Sequence, residues 1–201
     1  MKYFLSLLLI VLVLSCGGEK ESLQGETEYQ RTMNASFKDA TTSPLKDKDR
    51  KNFKGLDFFP FDSTYIVTAY LEHTPESEYF NMKTTTDRLS KERVYGVINF
   101  ELQNEEFKLN VYQNEENLET EELEDYLFLP FLDDTNGDTT YGGGRYIDLR
   151  IPEGNLIIVD FNKAYNPSCV YNEKYSCPIV PRANYLPIEV KAGLMNYNKK
   201  N

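Results

Sequence analysis

Apolar and polar residues alternate with a period of two along much of the chain from about residue 56 onward. The clearest runs are residues 65–71, 98–102, 107–111, 147–151 and 186–190. Because successive side chains of a strand point to opposite faces, each run predicts a strand with one buried and one solvated face. Residues 103–106 form a short polar connection between the second and third runs, so we expect those two strands to make a hairpin.

Other segments complete the predicted fold. Residues 126–132 and 156–161 are almost continuously apolar, which is typical of strands covered on both faces, and residues 78–86 are a weaker strand candidate. Residues 26–40 predict a short N-terminal helix, because Tyr29, Met33 and Phe37 form one apolar face that would dock onto the domain. About eight strands without long intervening helices predict an all-β fold, an antiparallel sandwich or a small barrel, over residues 26–196.

The first residues of the chain carry a targeting signal. Lys2 is followed by an apolar run at residues 5–14. As a helix this run would be about 15 Å long, roughly half the thickness of a bilayer core, so it is too short to cross a membrane. A short apolar run behind a basic start predicts a secretory signal peptide at residues 1–15.

Residues 13–17, which read VLSCG, resemble the lipobox of bacterial lipoproteins. The resemblance implies that Cys16 becomes the acylated N terminus, and that its acyl chains hold the protein on a membrane without a spanning helix. Residues 16–25 would then be a polar, lipidated tether. We therefore expect the protein in the bacterial cell envelope, facing the periplasm or the cell surface. The alternative is an ordinary cleaved signal followed by an incidental cysteine.

Charge and composition narrow the classes of function. The chain has 22 basic and 32 acidic residues and a formal net charge of −10, which disfavours nucleic-acid binding. His73 is the only histidine, so metal sites and general bases that rely on imidazoles are disfavoured, and we expect neither a metal nor a cofactor. The acidic residues 115–125 and the basic residues 46–54 are interpreted as solvated segments, with cation binding and contact with anionic headgroups as the respective alternatives.

A glycine-rich stretch at residues 133–146 is the first candidate for chemistry. Asp134, Asn136 and Asp138 alternate as in a calcium loop, but the following glycine and the final glutamate of an EF-hand are missing. A long hairpin loop is the favoured interpretation, with ion binding as the alternative. Arg145 follows three glycines, and its rigid fork of donors would suit a carboxylate or a sulfate.

Cys169 and Cys177 would remain after lipidation of Cys16. In an exported protein such a pair predicts a disulfide. That disulfide would close a nine-residue loop and contribute about 2–3 kcal/mol. Two buried reduced thiols are an equal alternative, and a metal pair would lack further ligands. A nucleophilic cysteine is disfavoured because the single histidine is distant in the sequence.

Several residues of the chain form a pattern found in one known family. They are Thr139, Tyr141, Gly142, Gly144, Arg145, Tyr146, Asp160, Phe161, Asn162, Ala164, Tyr165, Asn166, Pro167, Cys169, Cys177, Pro178, Pro181 and Asn184, with Ser43, Pro44, Leu45, Phe53, Gly55 and Leu56 nearer the start. Over about residues 26–193 the chain resembles the bacterial and archaeal family called domain of unknown function 1684. The resemblance implies no established activity, and it favours reduced structural or ligand-facing thiols, because the cysteine pair also occurs in members without export signals. The residues before Asn184 depart from the acidic residue usual there.

Six polar residues beside the apolar strands are candidate ligand-binding residues: Arg145, Asp160, Asn162, Asn166, Arg182 and Asn184. If residues 145–151 and 156–163 paired as a hairpin through residues 152–155, Arg145 would lie level with residues near Lys163. We therefore expect Arg145 and the segment 166–184 to converge on one site. The alternative is that these side chains brace an irregular loop by hydrogen-bonding its backbone.

Three functions compete on this basis. The favoured one is a noncatalytic envelope lipoprotein whose β-domain binds a small ligand or a neighbouring protein, because no catalytic constellation can be assembled. The second is a hydrolase-type enzyme that uses Asp160, or Asp133 with Asp134, together with Arg145. The third is a purely structural envelope component. The sequence leaves open whether the protein is an enzyme, although binding is favoured.

Overall fold

The computed structural model describes residues 25–197, within which two α-helices and eight strands are defined. The helices are α1 (Glu28–Lys38) and α2 (Asp47–Lys51). The strands are β1 (Ile66–His73), β2 (Phe80–Lys83), β3 (Leu89–Leu102), β4 (Glu105–Asn114), β5 (Tyr126–Asp133), β6 (Arg145–Arg150), β7 (Leu156–Asp160) and β8 (Tyr185–Leu186). The predicted signal peptide and nearly all of the predicted tether lie outside the described residues. Within residues 25–197, no helix is long and apolar enough to cross a membrane.

The strands form one curled sheet shaped like half a barrel. Its order is β6-β5-β4-β3-β1-β7, and every pair along that order is antiparallel. β2 pairs with β3, and the two-residue β8 lies parallel to β5. The predicted all-β fold with a short N-terminal helix is therefore confirmed, and the sheet has the curvature of an open barrel.

β3 and β4 form the predicted hairpin at the centre of the sheet. Leu102 pairs with Glu105, which leaves Gln103 and Asn104 as the two loop residues. Both have positive φ values, 55° and 63°. A two-residue turn with this backbone matches the right-handed twist of the flanking strands, and this explains why a short polar connection suffices.

The prediction that the strands at 145–151 and 156–163 pair with each other is wrong. β6 and β7 lie at opposite ends of the strand order, where β6 pairs with β5 and β7 pairs with β1. Ile157 and Val159 of β7 face the core together with Val67 and Ala69 of β1, so this pairing joins two matching apolar faces. An isolated backbone bridge between Tyr146 and residue 165 is one of the links between β6 and the chain beyond β7.

Two other strand predictions are wrong in part. β7 is not covered on both faces, because Leu156 and Ile158 are 63% and 58% exposed. The predicted strand at 186–190 is reduced to β8, which ends at Leu186. The residue that follows, Pro187, has no N–H to donate to a ladder, which explains the early end of this strand.

Apolar side chains pack on both sides of the central strands. Inside the curl, the main core buries residues from β1, β3, β4, β5, β6 and β7, among them Leu71, Ile98, Leu109, Leu129, Ile147 and Val159. On the outer side of β4, β5 and β6 a second cluster contains Tyr112, Phe128, Tyr146 and Val180. Because Val180 comes from the irregular chain after β7, that chain covers the outer side of these strands.

α1 docks on the domain through the predicted apolar face. The helix begins with a capping box formed by Thr27 and Gln30. Phe37 is buried and Met33 packs beside it in a third cluster with Leu45, Leu56, Tyr171 and Leu194, while the Tyr29 hydroxyl donates to the Lys163 carbonyl at 2.8 Å. The short helix α2 follows in the basic segment that we interpreted as solvated.

Candidate functional site

A groove of about 760 Å³ lies between α2 and the C-terminal segment. We call it the lysine–tyrosine groove, after the residues that give it its character: Lys48, Lys51, Phe53, Lys54, Tyr171 and Tyr197. It combines charged side chains with aromatic surface, which is the usual make-up of a small-molecule site.

Backbone contacts fix the walls of this groove. The Met195 N–H donates to the Asp57 carbonyl at 2.9 Å, and Phe58 forms a β-bridge with Leu194. The Leu56 N–H donates to the Asn34 side chain at 2.8 Å, which ties the same stretch to α1. The chain after α2 is therefore held between α1 and the C-terminal segment, and α2 forms the outer wall.

The floor of the groove is aromatic. The ring of Tyr171 lies between two others in edge-on contact, with centroid distances of 4.9 Å to Phe37 and 4.8 Å to Tyr197. The hydroxyl of Tyr171 is buried beside the Asn166 amide, without a hydrogen bond of good geometry between them. Burial raises the pKa of this hydroxyl, so Tyr171 stays neutral and can donate a hydrogen bond.

The rim of the groove is rich in positive charge. Lys48, Lys51 and Lys54 are exposed along it, and among the described residues the only acidic ones that line the groove are Asp49 and Asp57. In a chain of net charge −10, such a cluster of lysines is a local reversal of sign. An anionic group would therefore be attracted to this rim, and an apolar group to the floor.

Arg145, the first of the predicted site residues, is completely buried. Its guanidinium donates to the carbonyls of Val190 (2.8 Å) and Ala192, and it forms an ion pair of 2.9 Å with Asp133. The guanidinium carbon lies 5.2 Å from the centre of the Phe131 ring. Burial lowers the pKa of Arg145 and the Asp133 charge opposes that shift. Arg145 thus binds the backbone after β8 to the core.

The glycine run before Arg145 serves the same packing. Gly144 has a φ of +89°, and a Cβ there would lie 2.6 Å from the Phe131 carbonyl. Only glycine combines this backbone with so close an approach. The run therefore lets the chain enter β6 tightly against β5, and it does not surround an open anion site.

Asp160, Asn162 and Asn166 bind backbone at two places. Asp160 caps the turn after β7 by accepting from the Asn162 N–H at 3.0 Å. The Asn162 amide exchanges two hydrogen bonds with the backbone of Asp62, at 2.9 and 3.0 Å. Asn166 donates to the Met195 carbonyl at 2.9 Å. Asn162 thus fixes the entry to β1, and Asn166 fixes the C-terminal segment.

Asn184 and Arg182 have opposite environments. Asn184 is fully buried; its amide donates to the carbonyls of Asn110 (2.8 Å) and Pro130 (2.7 Å), and its Oδ1 accepts from the Asn110 N–H at 2.9 Å. β4 and β5 pair directly only at Tyr112, so this side chain replaces missing ladder bonds where the two strands separate. Arg182 is exposed to solvent.

The six predicted ligand-binding residues therefore do not converge on one open site. Arg145 and Asn166 both bind the segment 190–195, whereas Asn162 and Asn184 act elsewhere. None of the six lines the lysine–tyrosine groove. Apart from the exposed Arg182, their geometry is that of the alternative interpretation, in which polar side chains satisfy irregular backbone.

Cys169 and Cys177 lie side by side as free thiols. The Cys169 N–H donates to Sγ of Cys177 at 3.2 Å, and the Cys177 N–H donates to Thr85 Oγ1 at 3.1 Å. Burial, together with the neighbouring Cys169 thiol, raises the pKa of Cys177 to about 11. At neutral pH Cys177 is therefore a protonated, weakly nucleophilic thiol. The predicted lipidation site, Cys16, lies outside the described residues.

The glycine-rich stretch forms the hairpin loop between β5 and β6. Its polar side chains bind one another: Asn136 accepts from the Asp133 N–H at 2.8 Å and donates to Thr140 at 2.9 Å. Asp134 accepts from the Tyr185 hydroxyl. Among residues 25–197, no group of three or more histidine, cysteine, aspartate or glutamate side chains is placed to hold a metal ion.

Sequence reasoning missed both the groove and a buried carboxyl. Phe53 and the lysines stood in one segment, but Tyr171 and Tyr197 reach the groove from distant parts of the chain. Glu92 is 2% exposed, and it accepts hydrogen bonds of 2.8 Å from Ser90 and Asn114. Burial raises its pKa. The alternation of β3 gave no signal for this burial, because a β-bulge between Val94 and Gly96 interrupts it.

The fold is a β-domain of the half-barrel kind with a groove at its periphery. A family model described as a protein of unknown function, DUF1684, matches residues 51–195. The chain therefore belongs to the DUF1684 family; the match includes Lys51, Phe53, Lys54 and Tyr171 of the groove, and it excludes most of α2 and Tyr197.

A solved structure shows the same fold. The solution NMR structure of an uncharacterised protein of Haloarcula marismortui is 32% identical, with a TM-score of 0.62, and the match covers 79% of this chain and 85% of that chain. No curated protein matches the sequence. Neither the family nor the haloarchaeal structure brings an activity, so function must be argued from the geometry of this chain.

Proposed function

We propose that this protein is a lipid-anchored protein of the bacterial cell envelope whose β-domain is a noncatalytic binding module. Its ligand would be a small molecule with an anionic group and an apolar ring or chain, held in the lysine–tyrosine groove. The observation that carries this proposal is the groove itself, an aromatic floor under a rim of three lysines.

The size and chemistry of the groove support the ligand class. Its volume of about 760 Å³ lies within the range of about 300–1,000 Å³ that small-molecule sites occupy. The edge-on contacts of Tyr171 hold the aromatic floor in place, while Lys51 and Lys54 can bind an anion with flexible ammonium groups. A ligand would thus be held at its apolar end by contact area and at its anionic end by charge.

The buried polar groups argue against the hydrolase alternative. That alternative needs Arg145 to meet a substrate, with either Asp160 or the pair Asp133 and Asp134 beside it. The Arg145 side chain, however, is fully buried and bound to Asp133 and to backbone. The groove is lined instead by lysines, aromatic rings and two aspartates.

Anchoring at a membrane is supported by the leader alone. Residues 1–15 have the pattern of a signal peptide, and Cys16 follows directly in a lipobox-like context. A mass measurement of the intact chain purified from bacterial membranes tests this part of the proposal. We expect loss of residues 1–15 and a diacylglyceryl addition at Cys16; an unmodified Cys16 would contradict it.

Fluorescent probes test the groove. 8-Anilinonaphthalene-1-sulfonate is an aromatic anion of the expected class, and N-phenyl-1-naphthylamine is its uncharged counterpart. We expect the anionic probe to bind more tightly, and the variant Lys51→Gln/Lys54→Gln to weaken it by about fivefold, the equivalent of about 1 kcal/mol. The exposed Lys108 on β4 provides the control Lys108→Gln, which should leave binding unchanged.

Two results would contradict the binding site. Equal affinity of the double variant and the wild type for the anionic probe would show that the lysine rim does not hold the anion. Equal loss of affinity for both probes in the double variant would show that the substitutions act on the floor or on folding. Circular dichroism of the double variant separates these two causes, because only a folding defect would change its spectrum.

A further inference from the structure

A row of exposed apolar side chains runs along the outer face of β1 and β7. We call it the outer patch, and it consists of Ile66, Tyr70, Leu156 and Ile158, which are 39–63% exposed. Tyr70 pairs with Leu156 across the two strands, and residue 68 pairs with Ile158. The side chains therefore form one continuous surface on the solvent side of the sheet.

The outer patch differs from the rest of the outer face of the sheet. On β4, β5 and β6 the outward side chains Tyr112, Phe128 and Tyr146 are buried under the chain that follows β7. On β1 and β7 the outward side chains stay exposed, and β7 ends the strand order. A contiguous exposed apolar surface of this kind marks a contact with something outside the domain.

The described chain begins beside the outer patch. Glu26 accepts a hydrogen bond of 2.9 Å from the Phe61 N–H, and Tyr29 donates to the Lys163 carbonyl, three residues after the end of β7. Ile66 pairs with Asp160 at this same end of β1 and β7. The N-terminal end of the domain is thus held at one end of the patch.

The length of the preceding chain limits how far the patch lies from an anchor. Residues 17–25 connect Cys16 to the domain, and a fully extended stretch of nine residues spans about 30 Å. An acylated Cys16 would therefore keep the patch within about 30 Å of the bilayer surface. At that distance the apolar face can bury its surface in the headgroup region of the bilayer without crossing it.

We propose that the outer patch is a membrane-contact surface, on which the domain lies against the lipid bilayer. The inference rests on the proposed lipid anchor, because an apolar patch of this size binds a membrane only weakly by itself. Tyr70 has the amphipathic side chain typical of the headgroup region, and the aliphatic residues supply the inserted surface. The formal net charge of the chain is −10, so zwitterionic lipids are favoured over anionic ones.

The absence of tryptophan from the sequence makes a direct test available. Ile158→Trp places a single indole in the outer patch, and Ile179→Trp places one at a similarly exposed position, 50% against 58%, in the chain near β2. Both acylated full-length variants are reconstituted in vesicles of phosphatidylcholine, with and without brominated acyl chains, and again in vesicles of phosphatidylglycerol.

The expected result is a difference between the two tryptophans. Because interfacial apolar faces lie about 5–10 Å deep in the headgroup boundary, Trp emission of Ile158→Trp should shift to the blue and be quenched by bromolipid. That of Ile179→Trp should do neither. The shift should be smaller in phosphatidylglycerol.

Three other outcomes would each overturn a specific part of the proposal. An acylated chain in which neither tryptophan is quenched would refute the membrane-contact surface while leaving the anchor intact. A chain without acyl groups would refute both. A blue shift of Ile158→Trp that depends on protein concentration without lipid, with dimers in sedimentation velocity, would assign the patch to a second copy of the chain instead.

Discussion

Replacing Arg145 by methionine removes one partner of a fully buried ion pair and keeps most of the side-chain volume. Asp133 would then remain buried without its counter-charge, and the carbonyls of Val190 and Ala192 would lose their donor. Breaking a buried pair from one side costs about 3–5 kcal/mol. Since the total stability of a domain is about 5–15 kcal/mol, we expect Arg145→Met to lose a large part of it.

Urea unfolding followed by far-ultraviolet circular dichroism measures this loss. The matched control is Arg182→Met, because Arg182 is exposed and such surface changes alter stability by only about 0.5 kcal/mol. The double variant Asp133→Asn/Arg145→Met should recover part of the stability that Arg145→Met loses, because the unpaired buried charge is then removed.

The result that would refute this reasoning is a small effect of the buried arginine. If Arg145→Met lost less than about 1 kcal/mol, which is the effect of an ordinary substitution, the guanidinium would not be holding the segment 190–195. If Arg145→Met cannot be purified folded, Arg145→Lys keeps the charge but loses the planar fork, and we expect it to lie between the wild type and the methionine variant.

Three further predictions follow from buried polar groups. Glu92→Gln should be more stable than the wild type at pH 7, because burial raises the pKa of Glu92 and its carboxylate form therefore destabilises the native state. Urea unfolding from pH 7 down to pH 4 should show this advantage shrinking, and a constant advantage would contradict the titration. Asn184→Leu leaves the Asn110 backbone and the Pro130 carbonyl without hydrogen bonds. It should lower the free energy of unfolding by roughly 2–4 kcal/mol, measured by thermal unfolding. A decrease of less than about 1 kcal/mol would show that β4 and β5 are held together without this side chain. The rate of Cys177 alkylation by iodoacetamide, monitored by mass spectrometry, should rise about tenfold per pH unit up to about pH 11, where the pKa of this thiol lies. A rate that levels off near pH 9, as expected for the urea-unfolded chain, would refute the effect of burial.

The elements of the fold could largely be predicted from local patterns. The alternation at 98–102 and 107–111 predicted the central hairpin, and Tyr29, Met33 and Phe37 predicted the docking face of α1, because both signals come from neighbouring residues. The exposed face of β7 was missed for a physical reason. A continuous apolar run predicts two covered faces, but Leu156 and Ile158 are exposed because the covering chain lies over other strands.

The candidate site was much less predictable than the strands. The six polar residues could be selected from the sequence as candidates, but a sequence does not show whether a polar side chain meets a ligand or satisfies buried backbone. Asn184 donates to carbonyls where β4 and β5 separate, and Arg145 donates to carbonyls of the irregular chain after β8. These carbonyls lack other partners only in the folded molecule, so the sequence does not reveal them.

The sequence alone determined the class of fold, because the period of two puts apolar side chains on one face of each strand and forces those faces together. It also determined the targeting prediction, since the pattern of a leader lies in consecutive residues. The tertiary structure alone decided the order of the strands, the separation of β6 from β7, and the lysine–tyrosine groove. The reason is that each of these depends on which distant segments share one core, and Tyr171 becomes a neighbour of the lysines of α2 only when that core has formed.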